Sequence, residues 1–194
     1  MPDGPDTGPP ADAGPTATTG YPSGLESTER LRDGSEVRFR PIRMTDGEAM
    51  TAFHDSLSSR SVYRRFFSAH PHLSVGEVER FTHVDYVDRM AFVVTDDDRI
   101  VAVGRYERLP ETDEAEVAFV VTDEYQHRGI GSRLLVHLAE AARSQGIARF
   151  HAQTLSENRD MLSVFLSSGY PVTTTSESGT VTVRFPIDPA GVAG

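Results

Sequence analysis

Two features of this sequence carry chemistry. The first is Gln126-His127-Arg128-Gly129-Ile130-Gly131-Ser132, which brings an arginine and paired glycines to the start of a run with helical periodicity. The first amides of a helix find no partner inside it, and the macrodipole leaves partial positive charge there. Glycines at 129 and 131 let a ligand approach the backbone closely, and Arg128 adds a cation, so this turn suits a pyrophosphate. The second is Glu116, a carboxylate in the apolar run 115–121, a residue type able to act as a general base there. Glu114 is its nearest rival, closer to the preceding turn and expected to be wetter. Gly-x-Gly alone serves any tight strand-to-helix turn equally well; the arginine and the carboxylate beside it favour a ligand site. The spacing is neither the Gly-x-Gly-x-x-Gly of dinucleotide folds nor a P-loop, which needs Gly-Lys-Ser/Thr.

These residues need a strand, a turn and a helix to hold them. Residues 115–121 are β-branched and apolar, which predicts a buried strand. Ile130, Leu134, Leu138 and Ala142 recur at every fourth position, with Leu135 beside them, predicting a helix over 128–145 that stops before Gly146. Before it, a strand is expected at 37–42, a helix from Thr45-Asp46 to about Leu57, and a short helix at 74–82 capped by Ser74 with Glu77. Strands follow at 89–95 and 100–107. After the central helix come a strand at 149–155, a helix at 158–168 stopped by Gly169, and a hairpin of 171–175 with 180–185 around Ser178-Gly179. The aromatic and basic segment 58–67 reads as a structural helix burying Val62, Phe66 and Phe67 with its arginines in water. Its functional alternative is a wall of the acceptor cleft.

The 194 residues suggest one domain with a tail. Residues 1–28 form a Pro/Gly-rich segment with almost nothing to bury, expected to be disordered; 29–187 form the domain, and 188–194 a flexible end. Nineteen basic against 29 acidic residues give a formal charge of −10, which disfavours nucleic acid and favours a cationic acceptor. Absence of cysteine excludes disulfides, thiolate metal sites and any acyl-cysteine intermediate, so acyl transfer, if that is the reaction, would proceed by direct attack on the donor. No metal is expected. The seven histidines lack ligand spacing, His70-Pro71-His72 being the only close pair, and Asp96-Asp97-Asp98 lies in a hairpin turn where neighbours point apart. No apolar run approaches the ~18 residues that span a bilayer and no signal pattern opens the chain, which predicts a cytoplasmic protein with no membrane partner.

The segment 115–132 resembles motif A of the GNAT superfamily of N-acetyltransferases, whose Gln/Arg-x-x-Gly-x-Gly/Ala follows a strand and opens a helix. The resemblance implies an α/β fold with a mixed, twisted sheet of about six to seven strands and helices on both faces, covering roughly residues 31–186. It implies acetyl-CoA as co-substrate: pantetheine against freed backbone of Phe119, Val120 and Val121, pyrophosphate on amides of Gln126, His127, Arg128, Gly129, Ile130, Gly131 and Ser132, and Asn158 on the pantetheine. Leu31-Arg32-Asp33-Gly34, Arg40-Pro41-Ile42-Arg43, residues 61–67 and Asp85-Tyr86-Val87-Asp88-Arg89-Met90 are similar to the bacterial Pat-type protein lysine acetyltransferases. In those proteins the glutamate matching Glu116 is the general base, and the usual targets are AMP-forming acyl-CoA synthetases. The tyrosine that many relatives carry seven residues after the asparagine is replaced by Phe165, so no general acid is assigned. The protein is expected to act as a monomer or homodimer. An acetyltransferase for small amines and a silent acyl-CoA-binding module are the alternatives.

Overall fold

The computed structural model describes residues 20–187. Their centre is a sheet of eight strands in the order β1-β2-β3-β4-β5-β6-β8-β7, one or two more than expected. The strands are β1 (Ser27–Arg30), β2 (Glu36–Pro41), β3 (Arg89–Asp96), β4 (Arg99–Arg108), β5 (Glu114–Val121), β6 (Arg149–Leu155), β7 (Thr173–Glu177) and β8 (Thr180–Pro186). Every neighbouring pair is antiparallel except β5 and β6, which run parallel across the connection through helix α4 (Ile130–Ser144). A parallel pair needs such a crossover, because a hairpin reverses direction.

Helices cover both faces. α4 and α5 (Arg159–Leu166) pack on one side, and α1 (Gly47–Asp55), α2 (Ser59–Phe66) and α3 (Val75–Thr82) on the other. The larger core joins Leu134, Leu135 and Leu138 of α4 to Phe92, Tyr106, Val117 and Phe119 of the sheet, with Phe165 and Phe185 beyond them. On the opposite face Met50 and Phe53 of α1 and Val62 of α2 meet Ala91, Val93 and Val103. Burial of each such large side chain contributes about 1.5–3 kcal/mol. Gly104 lets α4 sit this close, since a Cβ there would come within 3.0 Å of Phe119 and 3.1 Å of Leu138.

Helix ends follow the sequence signals. Ser74 and Glu77 form a reciprocal capping box on α3, and Ser58 caps α2 through the amide of Ser61. Gly146 and Gly169 follow α4 and α5 with φ of +74° and +83°. Thr45-Asp46 does not cap α1 in the expected way. Residues Met44–Asp46 form a 3-10 turn, and the Asp46 carboxylate is turned back to Arg43 N and, bidentately, to the Arg40 guanidinium at 2.7 and 2.8 Å.

The expected tail of residues 1–28 divides. Residues 1–19, like 188–194, lie outside the described residues, but Tyr21 to Thr28 belong to the fold. β1 pairs with β2, although Ser27-Thr28-Glu29-Arg30 holds no apolar residue. Polar anchors substitute for burial. Glu26 receives Tyr21 Oη at 2.6 Å and Arg43 at 2.8 Å and also pairs with Arg38, while Glu29 receives Arg133 of α4 at 2.8 Å.

Candidate active site

The site arises where the sheet divides. β5 and β6 pair only at Glu114↔Arg149, Ala115↔Phe150 and Glu116↔His151, whereas β4 follows β5 to Ala102↔Val121. Beyond Glu116 the two parallel strands part, and a cavity of about 340 Å³ opens between them. Residues 116–121, the loop before α4, α2 and α5 line it. Main-chain groups alternate between the two sides of a strand. Thr122 N bonds to Val101 O and Glu114 O accepts from Leu109 N, so even-numbered positions of β5 turn their main chain to β4. Phe119 and Val121 therefore present theirs to the opened side, and Val121 O accepts Gln126 Nε2 there at 3.1 Å. Val120 corrects the expectation: its main chain faces β4, and it packs against the core on the α1–α2 side of the sheet while still bordering the cavity.

The loop forms a cradle of amides. His127 and Gly129 take φ of +62° and +90°, and the first helical bond runs from Arg133 N to Gly129 O. Among the described residues, no amide from 127 to 132 donates to a backbone carbonyl. The side chains of the loop have other tasks. Gln126 Nε2 ties the loop to Ser61 Oγ at 3.2 Å as well as to Val121 O. Ile130 is buried in the core, and His127 extends outward, 3.9 Å from Asp160. Gly131 lies against α5, where a Cβ would come within 3.2 Å of Val164.

Arg128 departs from its expected part. Its guanidinium pairs with Asp33 at 2.8 Å, donates to Glu124 O at 2.7 Å and covers the Tyr125 ring, so it is directed away from the cavity. The cationic side chains lining the cavity are Arg32 from the β1–β2 turn and Arg64 and Arg65 from α2. None of the three was among the expected ligand contacts. Segment 58–67 forms a helix that packs Val62 and Phe66 on the core, as in its structural reading, and also lines the cavity. Val62 is buried, but Phe67 ends the helix at φ +56° and is exposed, while Arg64 and Arg65 are half-buried at the cavity. Arg64 pairs with Asp160 at 3.2 Å. Burial pushes the Arg65 guanidinium down to about 10; nearby Arg105 adds to this and Glu116 opposes it.

Glu116 lines the cavity at the fork, on the face of β5 that meets α2, and is exposed to it. It makes no hydrogen bond or ion pair within 4 Å among the described residues. Glu114, its rival, is the drier of the two, held by Arg149 at 2.8 Å. Asn158 is buried; its Oδ1 caps α5 by accepting Met161 N at 3.4 Å, and the residue borders the cavity. Phe165 also lines the cavity, nearly fully buried and 5.8 Å from the rings of both Phe119 and Phe185, with no proton to donate.

A sheet that splits beside a strand–loop–helix amide cradle, with a carboxylate at the fork, defines the class of acyl-CoA-dependent N-acyltransferase folds. The chain belongs to the Acetyltransferase (GNAT) family, whose model matches residues 57–170. It is similar to the solved GNAT domain of PAT from S. lividans, at 41% identity and a TM-score of 0.81 over 86% of this chain and 99% of that one. Among curated proteins it is 30% identical to Acetyltransferase PA5475 of Pseudomonas aeruginosa over 73% of this chain and 78% of the relative. It is 35% identical to Acetyltransferase Pat of Mycolicibacterium smegmatis over 68% of this chain, a match that spans 40% of Pat. The protein is thus a GNAT acetyltransferase related to Pat-type protein acetyltransferases, a family that uses acetyl-CoA. No helix among the described residues is long and apolar enough to cross a membrane.

Proposed function

We propose that this protein transfers the acetyl group of acetyl-CoA to a lysine side chain of a protein, with an AMP-forming acyl-CoA synthetase as target. The observation that carries the chemistry is the Glu116 carboxylate at the β5–β6 fork, which lines the cavity and has no hydrogen-bond or ion-pair partner among the described residues. A lysine ammonium (about 10.4 in model compounds) is not a nucleophile, and freeing its lone pair at pH 7 costs roughly 4–5 kcal/mol. Glu116 removes that proton, directly or through one water. The amine attacks the thioester within the ternary complex, the negative charge on the carbonyl oxygen is met by an amide on the opened edge of β5, and the thiolate departs. A thiol ionises near 8.5, so departure needs no dedicated acid, in keeping with Phe165.

The amides of 127–132 hold the pyrophosphate, Phe119 and Val121 bond the pantetheine through their main chain, and Asn158 meets it from α5. Similarity to Pat and to the S. lividans PAT domain supports the protein acceptor. The test incubates the protein with labelled acetyl-CoA and an acyl-CoA synthetase and maps the label. Label on a synthetase lysine is the expected result; label on free small amines alone would overturn the protein acceptor.

A further inference from the structure

We propose that Arg32, carried by the β1–β2 turn, is the cation that closes over the diphosphate of the bound donor; this rests on acetyl-CoA being the donor. Arg32 is exposed at the cavity beside the amide cradle, and a side chain at position 129 would place its first carbon 3.4 Å from Arg32 Nε. It makes no hydrogen bond or ion pair among the described residues. The adjacent carboxylate does not neutralise it, because Asp33 Oδ1 accepts from Ser35 and Asp33 Oδ2 pairs with Arg128.

The turn is fixed at this place by α4 and the loop before it. Arg133 donates to Glu29 at 2.8 Å and to Arg30 O at 2.6 Å, His137 meets Glu29, and Arg128 holds Asp33 at 2.8 Å. Arg128 thus acts by positioning the turn, and Arg32 by touching the anion. A guanidinium matches phosphate oxygens bidentately, and such charge-assisted bonds are the stronger kind. A cation beside an amide cradle adds a charged donor to the backbone donors that the cradle itself offers.

The experiment measures dissociation constants by calorimetry for three donors: acetyl-CoA, its 3′-dephospho form and S-acetyl-pantetheine, which lacks phosphate. Arg32→Ala is expected to weaken the first two equally, by about 10- to 100-fold, and to leave S-acetyl-pantetheine unchanged. Arg32→Lys should recover part of the loss. Equal affinities of wild type and Arg32→Ala for acetyl-CoA would overturn the assignment, as would a loss confined to the donor with a 3′-phosphate or one shared by S-acetyl-pantetheine. Failure of the wild type to bind acetyl-CoA would instead sink the donor reading itself. Coincident thermal unfolding of the variants and wild type without donor shows that the fold is kept, as expected for an exposed residue.

Discussion

Glu116 and Glu114 are two residues apart and share a strand, yet only one is free to do chemistry. Glu114 belongs to Arg149, while Glu116 faces the cavity with no partner among the described residues. Removing the Glu116 charge without changing its size isolates proton transfer from binding. Glu116→Gln is expected to lower kcat by about 100-fold or more, with the acetyl-CoA dissociation constant unchanged in calorimetry. An equal loss of affinity would mean that Glu116 holds the donor rather than the acceptor's proton. Sequence exposed this residue because a lone carboxylate in an apolar strand is a local anomaly. It could not expose Arg32, Arg64 or Arg65, whose place at the cavity depends on how distant elements are packed. Arg128 was misplaced for the same reason: its orientation is decided by Asp33, on a turn far away in the chain.

Elements with apolar periodicity were legible; those held by charge were not. The strand expected at 115–121 spans Glu114–Val121, and the helix expected at 128–145 spans Ile130–Ser144. β1 escaped because it lacks apolar residues and depends on Glu26 and Glu29 for attachment. Its attachment should therefore be sensitive to acid. Bonds from Tyr21 and Arg38, with further help from Arg43, lower the Glu26 carboxyl from 4.5 to about 2. A carboxyl depressed in the folded state contributes stability that is present above the unfolded value and lost as pH falls through the folded one. The Glu26 contribution should accordingly disappear between about pH 4.5 and 2. Denaturant titrations across that window should show a shallower decline in stability for Glu26→Gln than for wild type. The loop before α4 offers a second test at this scale. Gly129 at φ +90° sits where a Cβ is strained, so Gly129→Ala should destabilise by about 1–3 kcal/mol and weaken acetyl-CoA binding. A binding loss without any stability loss would place the glycine's role in ligand approach alone.

For the whole molecule, net charge is a poor guide to the cleft. The chain carries −10 overall, yet the cavity is lined by Arg32, Arg64 and Arg65 against Glu116 and Asp160. The field inside the cavity is set by these few side chains, and its arginines suit a polyanion better than the bulk composition suggests. The split sheet adds a thermodynamic consequence. β5 and β6 stop bonding each other after Glu116↔His151, and the cradle amides have no carbonyl partners among the described residues, so both lack bonds that a donor can complete. A ligand that binds only the folded state stabilises it by about 2.7 kcal/mol at a hundredfold excess over its dissociation constant. For a chain of this size each kcal/mol raises Tm by about 2–4 °C, which predicts a rise of roughly 5–10 °C with acetyl-CoA. Hydrogen exchange should slow in the same titration at Val117, Phe119 and Val121, whose main chain faces the opened side, and at residues 127–132. Glu116→Gln should show the full rise, because it leaves the donor's contacts in place, and Arg32→Ala should reach it only at higher acetyl-CoA. Protection spread evenly over the sheet, with no excess at the fork, would show that the donor binds elsewhere.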